Sequence, residues 1–492
     1  MRHCYGIVLL LLSCSFGFAD GKTSPKQSAQ VGARGQLPVT TSSTRARTDF
    51  EAAMQNFEQY RLNEALQFLR IATKTDPKFA QAFIMIAKIS KDPTEQVEAR
   101  EQAKQLASKA SRGERLLIRW LAGAQEDNYL PAIAAMNDLL AKYPRDARLA
   151  FLAGDWLTLQ ERYHQAAVVL EHGLSIQPNY PAVLNDLGYT YAFDGDFEKA
   201  FAAMDRYVAL VPDEPNPHDS YGEILRMDGK FDAALEQYRI SVRMDPNFGS
   251  ELGIADTLAL MGKEQEAREE YDRAIVFAGN PGDKVQYELQ SGLTWIREGN
   301  HRQAEKALAE VAKHAHAAGL GRLEAEAHRV LAMYEPDGKS AMKHLQAAQY
   351  ALQEPHELSA TDRNEEQARI LRVQATRFAE GEDTDPAAKA LSQLEAMAGK
   401  SRSQVIQLCY HGAAGATLVA QGKYAEAISH LQEDSADPLS MRLLWRAYQS
   451  TGAASDARTV AAKLATLNVP TVEQALVVPQ FRASLVSQAR QP

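Results

Sequence analysis

The 492-residue chain carries 54 lysines and arginines against 63 aspartates and glutamates, a formal net charge of −9, and 45% of its residues are hydrophobic. That balance supports solubility and argues against a general nucleic-acid binder. Of the three cysteines, Cys4 and Cys14 fall in the extreme N-terminal segment, which leaves Cys409 without a partner, so stability is expected from apolar packing and not from a disulfide.

Arg2 and His3 precede an apolar run from Ile7 to Leu12 that fades toward Phe18. The run is shorter than the roughly 20 apolar residues needed to span a bilayer. It reads as a secretory signal over residues 1–19, with Gly17-Phe18-Ala19 as the cleavage site before Asp20. A second reading stays open: Leu11-Leu12-Ser13-Cys14 is similar to a bacterial lipoprotein box, which would leave a lipidated Cys14 as the new N-terminus. Residues 20–47 are polar and basic (Lys22, Lys26, Arg34, Arg45, Arg47) and are expected to form a flexible linker.

From Thr48 on, apolar residues recur at helical spacing and no strand alternation appears. A first hairpin spans Thr48 to Pro77, with Phe57, Leu62, Ala65, Leu69 and Ala72 as its apolar face. Residues 80–110 form an irregular pair whose second helix opens at Pro93. The register becomes regular at Glu114, with Trp120, Tyr129, Ala132, Met136 and Pro144, and continues through Ala153-Gly154, Leu157, Tyr163, Ala166, Leu170 and Pro178. The clearest copies follow. One holds Leu184, Leu187, Gly188, Tyr191, Gly195, Phe197, Ala200, Met204, Tyr207 and Pro212. The next holds Tyr221, Gly222, Leu225, Gly229, Phe231, Ala234, Tyr238 and Pro246. Pro144, Pro178, Pro212 and Pro246 are spaced 34 residues apart. A further unit carries Ile254-Ala255, Leu258, Gly262, Ala267 and Tyr271, and the period then loosens. Residues 312–404 are expected to be irregular helical hairpins, with polar turns around Pro336, Pro355 and Pro386. The pattern returns over 405–467 (Gly415, Gly422, Tyr424, Ala427, Leu431, Trp445), and 468–492 is a tail that caps the last apolar face or trails off.

A fixed period of this length with a small residue in each helix of the pair marks a repeated helix–turn–helix. It resembles the tetratricopeptide repeat (TPR) family, most clearly over 113–311 and 408–465, with 48–311 as the N-terminal array. The resemblance implies an all-α solenoid of about twelve hairpins and a scaffold that binds other proteins. In this family the first helices line a concave groove. Mapped onto this chain, the groove residues are Phe151, Asp155, Asn185, Tyr189, Asp219, Glu223, Arg226 and Asp256. The lysine–asparagine clamp that some members use for a terminal carboxylate is not matched, since only Asn185 has a fitting type. The expected groove is therefore acidic with aromatic footholds, suited to a basic or amphipathic segment of a partner protein.

No catalytic or cofactor signature stands out. There is no phosphate-cradling glycine loop with lysine, no paired Cys-x-x-Cys and no His-Glu-x-x-His. His314 and His316, two apart on a helix, face different ways, as do Cys409 and His411. The expectation is a non-catalytic protein with no cofactor or metal, no nucleic-acid partner, and membrane contact only through a lipid on Cys14. It is expected to be exported, periplasmic or secreted, as a scaffold of the bacterial envelope. Two alternatives stand beside it. One is a lipid-anchored outer-envelope assembly factor. The other is a hydrolase or sensor with its site in the irregular 320–400 region, for which Trp295, His328, His344 and His356 are the places to look.

Overall fold

The computed structural model describes residues 35–353, 358–379 and 384–489. The signal segment, Cys14 and His356 lie outside them. Among the described residues, twenty-five α-helices and one short 3-10 turn make up the regular structure, with no strand. The helices pair in order as hairpins, with a single helix left over at the C-terminal end. Of the described residues, one unit holds those up to Ile224 together with Arg239–Gly249, and a second holds Leu225–Tyr238 and those from Ser250 onward.

The first unit contains α1 (Thr44–Glu58), α2 (Leu62–Thr75), α3 (Ala80–Ile89), α4 (Pro93–Leu106), α5 (Arg112–Gln125), α6 (Tyr129–Lys142), α7 (Ala147–Leu159), α8 (Tyr163–Ile176), α9 (Pro181–Asp194) and α10 (Phe197–Leu210). Helices α11 (Pro215–Met227) and α12 (Phe231–Met244) contribute residues to both units. The second unit continues with α13 (Glu251–Leu260), α14 (Glu264–Phe277), α15 (Pro281–Arg297), α16 (His301–Ala317), α17 (Gly321–Tyr334), α18 (Gly338–Gln353), α19 (Ala360–Arg377), α20 (Asp385–Lys400), α21 (Gln404–Ala420), α22 (Tyr424–Glu433), α23 (Pro438–Thr451), α24 (Ala454–Ala465) and α25 (Val472–Ala489).

The helix starts follow local chemistry. Ser111 and Glu114 form a reciprocal capping box at α5. Asp146 caps α7 by accepting from the Leu149 N–H, and Asp437 caps α23 ahead of Pro438. Gly195 closes α9 with φ 87°, a conformation that costs glycine nothing. The same turn between α1 and α2 is made by Tyr60 at φ 60°. A tyrosine there is strained by roughly 1–2 kcal/mol, so something else must hold it.

The flexible linker expected over residues 20–47 is corrected at its C-terminal end. The Leu37 N–H donates to the Asp146 carboxylate at 2.8 Å, and the Thr40 N–H donates to Glu114 at 2.8 Å. Leu37 and Val39 pack on the apolar core of the first unit, and α1 starts at Thr44 behind a Ser43 cap. Both capping carboxylates thus serve twice, once for their own helix and once for this strap. The tail does not trail off. Residues 472–489 form α25, which contains Pro479 and packs its Val472 and Ala475 with Val285, Leu289 and Leu331. Its Val477, Val478 and Phe481 pack with Met441 and Leu464.

Candidate functional site

Each hairpin is brought close by a missing side chain. A Cβ at Gly154 of α7 would overlap Leu170 of α8, one at Gly188 of α9 would overlap Met204 of α10, and one at Gly415 of α21 would meet Leu431 of α22. In all three the glycine precedes its partner by the same sequence offset, and Ala166, Ala200 and Ala427 are fully buried on the second helices. Gly154 and Gly188 are themselves one 34-residue period apart. The hairpins form an all-α helical repeat whose period resembles the tetratricopeptide type. A TPR array presents its first helices on an inner wall, and the residues there decide what the fold can do.

In the first unit that wall is already in use. Tyr60, held in its left-handed turn, sends its hydroxyl onto α9, donating to the Asp186 carboxylate at 2.6 Å and lying 3.2 Å from the Ala182 carbonyl. Arg61 beside it pairs with Glu214 at 2.6 Å. Phe57 and Tyr60 close over Phe151, which also meets Tyr180, with ring centroids 5.6, 6.5 and 5.9 Å apart. Phe151, Asn185, Tyr189 and Glu223 are buried, and the Tyr189 hydroxyl donates to Glu223 at 2.9 Å. Asp155 is half-buried and paired with Lys88 at 2.8 Å. Asp219 is half-buried as well. The wall is neutralised from within: Asp155 meets Lys88, Asp186 meets the Tyr60 hydroxyl and Glu223 meets the Tyr189 hydroxyl. Burial and the Asp155 charge push the Asp186 carboxyl well above the usual range, against the pull of the Tyr60 hydroxyl and Lys88.

Arg226 and Asp256 belong to the second unit. They form a buried pair at 2.9 Å, and Tyr271 donates to Asp256 at 2.5 Å. Further along, the wall is ionic. Glu326 and Arg329 on α17, and Glu365, Glu366, Arg369 and Arg372 on α19, fall at spacings of three and four and share a face. Arg329 bonds Glu366 at 2.6 Å and reaches Glu326 at 3.4 Å and, on α25, Glu473 at 3.8 Å. Arg372 donates to Asp434 at 2.7 Å and Ser440 at 3.0 Å, and lies 3.1 Å from Asp437. Ser403 donates to Glu365 at 2.7 Å. Burial alone would lower the Arg329 and Arg372 guanidinium pKa values, but the surrounding carboxylates raise them, so both stay charged. Gly412 on α21 is glycine for this reason: a Cβ there would stand 2.6 Å from the Asp434 carboxylate and 2.7 Å from the Arg372 guanidinium. Helix α25 lies across the same unit, with Gln474 accepting from Arg297 and Phe481 edge-on to Trp445 at 5.1 Å. None of the residues of this ion network, from Glu326 to Asp437 with Glu473, was in the expected groove. The spacing Glu-x-x-Arg at 326–329 and Glu-x-x-x-Arg-x-x-Arg at 365–372 is the signal that could have found them.

The residues considered for chemistry are scattered. Trp295 lies under the Arg268 guanidinium at 3.6 Å. His314 and His316 turn to different carboxylates, Glu288 at 2.7 Å and Glu324 at 3.1 Å. Cys409 is buried in an apolar cluster, and burial pushes its thiol up. His328 and His344 do meet, with their Nδ1 atoms 3.3 Å apart. Among the described residues no group of three or more His, Cys, Asp or Glu is placed to hold a metal ion. None of the described helices is long and apolar enough to cross a membrane.

Residues 12–207 match the model of a family described as ChAPs (Chs5p-Arf1p-binding proteins), a span of less than half the chain. No curated protein matches. Among solved structures the chain is similar to the APC/C hetero-tetramer Cut9–Hcn1, at 18% identity over 82% of this chain and 76% of that one, with a TM-score of 0.40. It is similar to yeast Tom70 at 13% identity over 85% and 96%, TM-score 0.41, and to Pseudomonas aeruginosa PilF at 15% over 54% and 94%, TM-score 0.29. The activities of those proteins stay with them.

Proposed function

We propose that the protein is a non-catalytic scaffold that binds other proteins, exported to the bacterial envelope. The observation that carries this reading is the use made of the inner walls. The α1–α2 turn fills one and the ion network with α25 fills the other, so the charged groups of both are committed to structure. What supports protein binding is the TPR architecture, whose use is generally to hold another polypeptide, and the matched family, which is named for proteins that bind Chs5p and Arf1p. The outer, second helices carry the uncovered apolar surface: Val276 and Phe277, adjoining on α14, are 77% and 44% exposed, and exposed apolar residues side by side favour contact with a partner. Our reading puts the partner surface there.

Affinity capture with the mature chain from an envelope extract tests this. A protein retained by the wild type and lost with Val276→Asp and Phe277→Asp supports the surface; retention by both variants moves the surface elsewhere; and turnover of an ester, peptide or phosphate substrate by the purified chain defeats the non-catalytic reading. Cell fractionation tests export, and palmitate labelling that vanishes in Cys14→Ser would favour the lipid-anchored form.

A further inference from the structure

Two hairpins of the second unit carry a histidine from each helix, and in both cases the rings meet across the seam. In α17/α18 the Nδ1 atoms of His328 and His344 are 3.3 Å apart, with ring centroids at 5.5 Å and an interplanar angle of 29°. In α21/α22 the Nδ1 atoms of His411 and His430 are 3.1 Å apart, with centroids at 5.1 Å and an angle of 42°. Counted from the helix starts, each pair joins the eighth residue of the first helix to the seventh of the second. All four rings are half-buried, so one edge of each seam is open to solvent. Tyr410 meets both rings of the second pair edge-on, at 5.2 and 5.8 Å.

A hairpin seam is ordinarily filled by apolar side chains, and imidazole is a poor filler. Two facing Nδ1 atoms can share one proton between them, which leaves at least one lone pair directed into the gap. A divalent ion that bonds imidazole nitrogen at about 2.0–2.1 Å holds two such ligands roughly 2.9–3.4 Å apart, from a right-angled to a tetrahedral arrangement. Both observed separations lie inside that interval. We propose that each pair is a two-imidazole chelate for a divalent transition-metal ion, with water in the remaining positions. Nitrogen ligands select Zn(II), Ni(II) or Cu(II) over the oxygen-seeking Mg(II) and Ca(II). Burial lowers the His344 pKa against the pull of Glu335 and Glu305, and burial with His430 lowers that of His411 against Glu433, which keeps the imidazoles neutral and able to ligate. Among the described residues no third protein ligand is placed at either pair, and two-ligand sites bind more weakly than a closed structural zinc site.

The test is equilibrium dialysis of the untagged full-length chain against Ni(II) and Zn(II), beside His344→Gln, His430→Gln and the double variant, each shown to be folded by its helical circular dichroism. The expected result is that each single substitution removes about one bound ion per chain and the double removes about two. His314 and His316 remain in every variant and set the background. The Cu(II) form, read by electron paramagnetic resonance, should lose its coupling to two nitrogens at each altered site. Equal ion counts in the wild type and double variant, or no binding to the wild type, would overturn the proposal.

Discussion

The two units solve one problem with opposite chemistry. A TPR hairpin leaves its first helix with a face that looks inward, and that face needs filling. The first unit fills it mainly with rings, Phe57, Phe151 and Tyr180, set among pairwise polar contacts such as Tyr60 to Asp186 and Tyr189 to Glu223. The second unit fills it with three arginines, Arg329, Arg369 and Arg372, among the carboxylates of Glu326, Glu365, Glu366, Asp434 and Asp437. The rings are non-directional and tolerate small shifts. The ion network is directional, and removing one member leaves the others charged and buried. The hairpin geometry does not dictate the polarity of its inner face; it dictates only that the face be satisfied.

The sharpest way to break the comparison is Arg329→Met. It should cost about 3–5 kcal/mol, because Glu366 and Glu326 stay buried without their cation, and amide exchange should rise in the second unit while the first is unchanged. Gly154→Ala should cost about 1–3 kcal/mol in the first unit, since Leu170 is fully buried and has nowhere to move; Gly188→Ala should cost less, because the end of Met204 can swing away. Tyr60→Phe keeps the rings but orphans Asp186 and should cost about 1–2 kcal/mol by exchange in α9. Tyr60→Gly should be worse than Tyr60→Phe if the side chain matters more than the backbone strain.

A pH series sharpens the second unit. Burial lifts the Glu264 carboxyl to about 7, with Glu298 pushing the same way and Arg297 and Arg268 opposing. A carboxyl raised in the folded state gives stability that is complete below its unfolded pKa and is lost as pH rises through its folded one. The wild type should therefore lose stability relative to Glu264→Gln between about pH 5 and 8, measured by denaturant midpoint. The smallest effect belongs to the exposed pair Arg273–Glu270 on α14: Arg273→Ala should move stability by no more than about 0.5 kcal/mol.

Much of the fold was legible. The 34-residue spacing of Pro144, Pro178, Pro212 and Pro246, and the small residues Gly154, Gly188 and Ala200, fix the hairpins because these positions act locally, within one period. What was not legible depends on contacts between residues far apart in sequence. Leu37 and Thr40 sit in a polar run, and nothing local says that their N–H groups reach the Asp146 and Glu114 caps. The groove residues were assigned by their place in each first helix, and that place does not report that Phe151, Asn185, Tyr189 and Glu223 are buried. Tyr60 is 126 residues from Asp186, and no periodicity reports that distance. Arg329 and Arg372 stand at helical spacing from carboxylates or from one another, which signals an ion network but looks the same inside and out.

Helix α25 also sets an order of events during synthesis. Arg297 is 177 residues ahead of Gln474, and the aliphatic patch of Val285, Leu289 and Leu331 meets Val472 and Ala475 only once those residues have left the ribosome. The first unit, complete by Gly249, can close while translation continues. The second cannot, and in the interval its uncovered patch is the part of the nascent chain most open to chaperones and to misassembly.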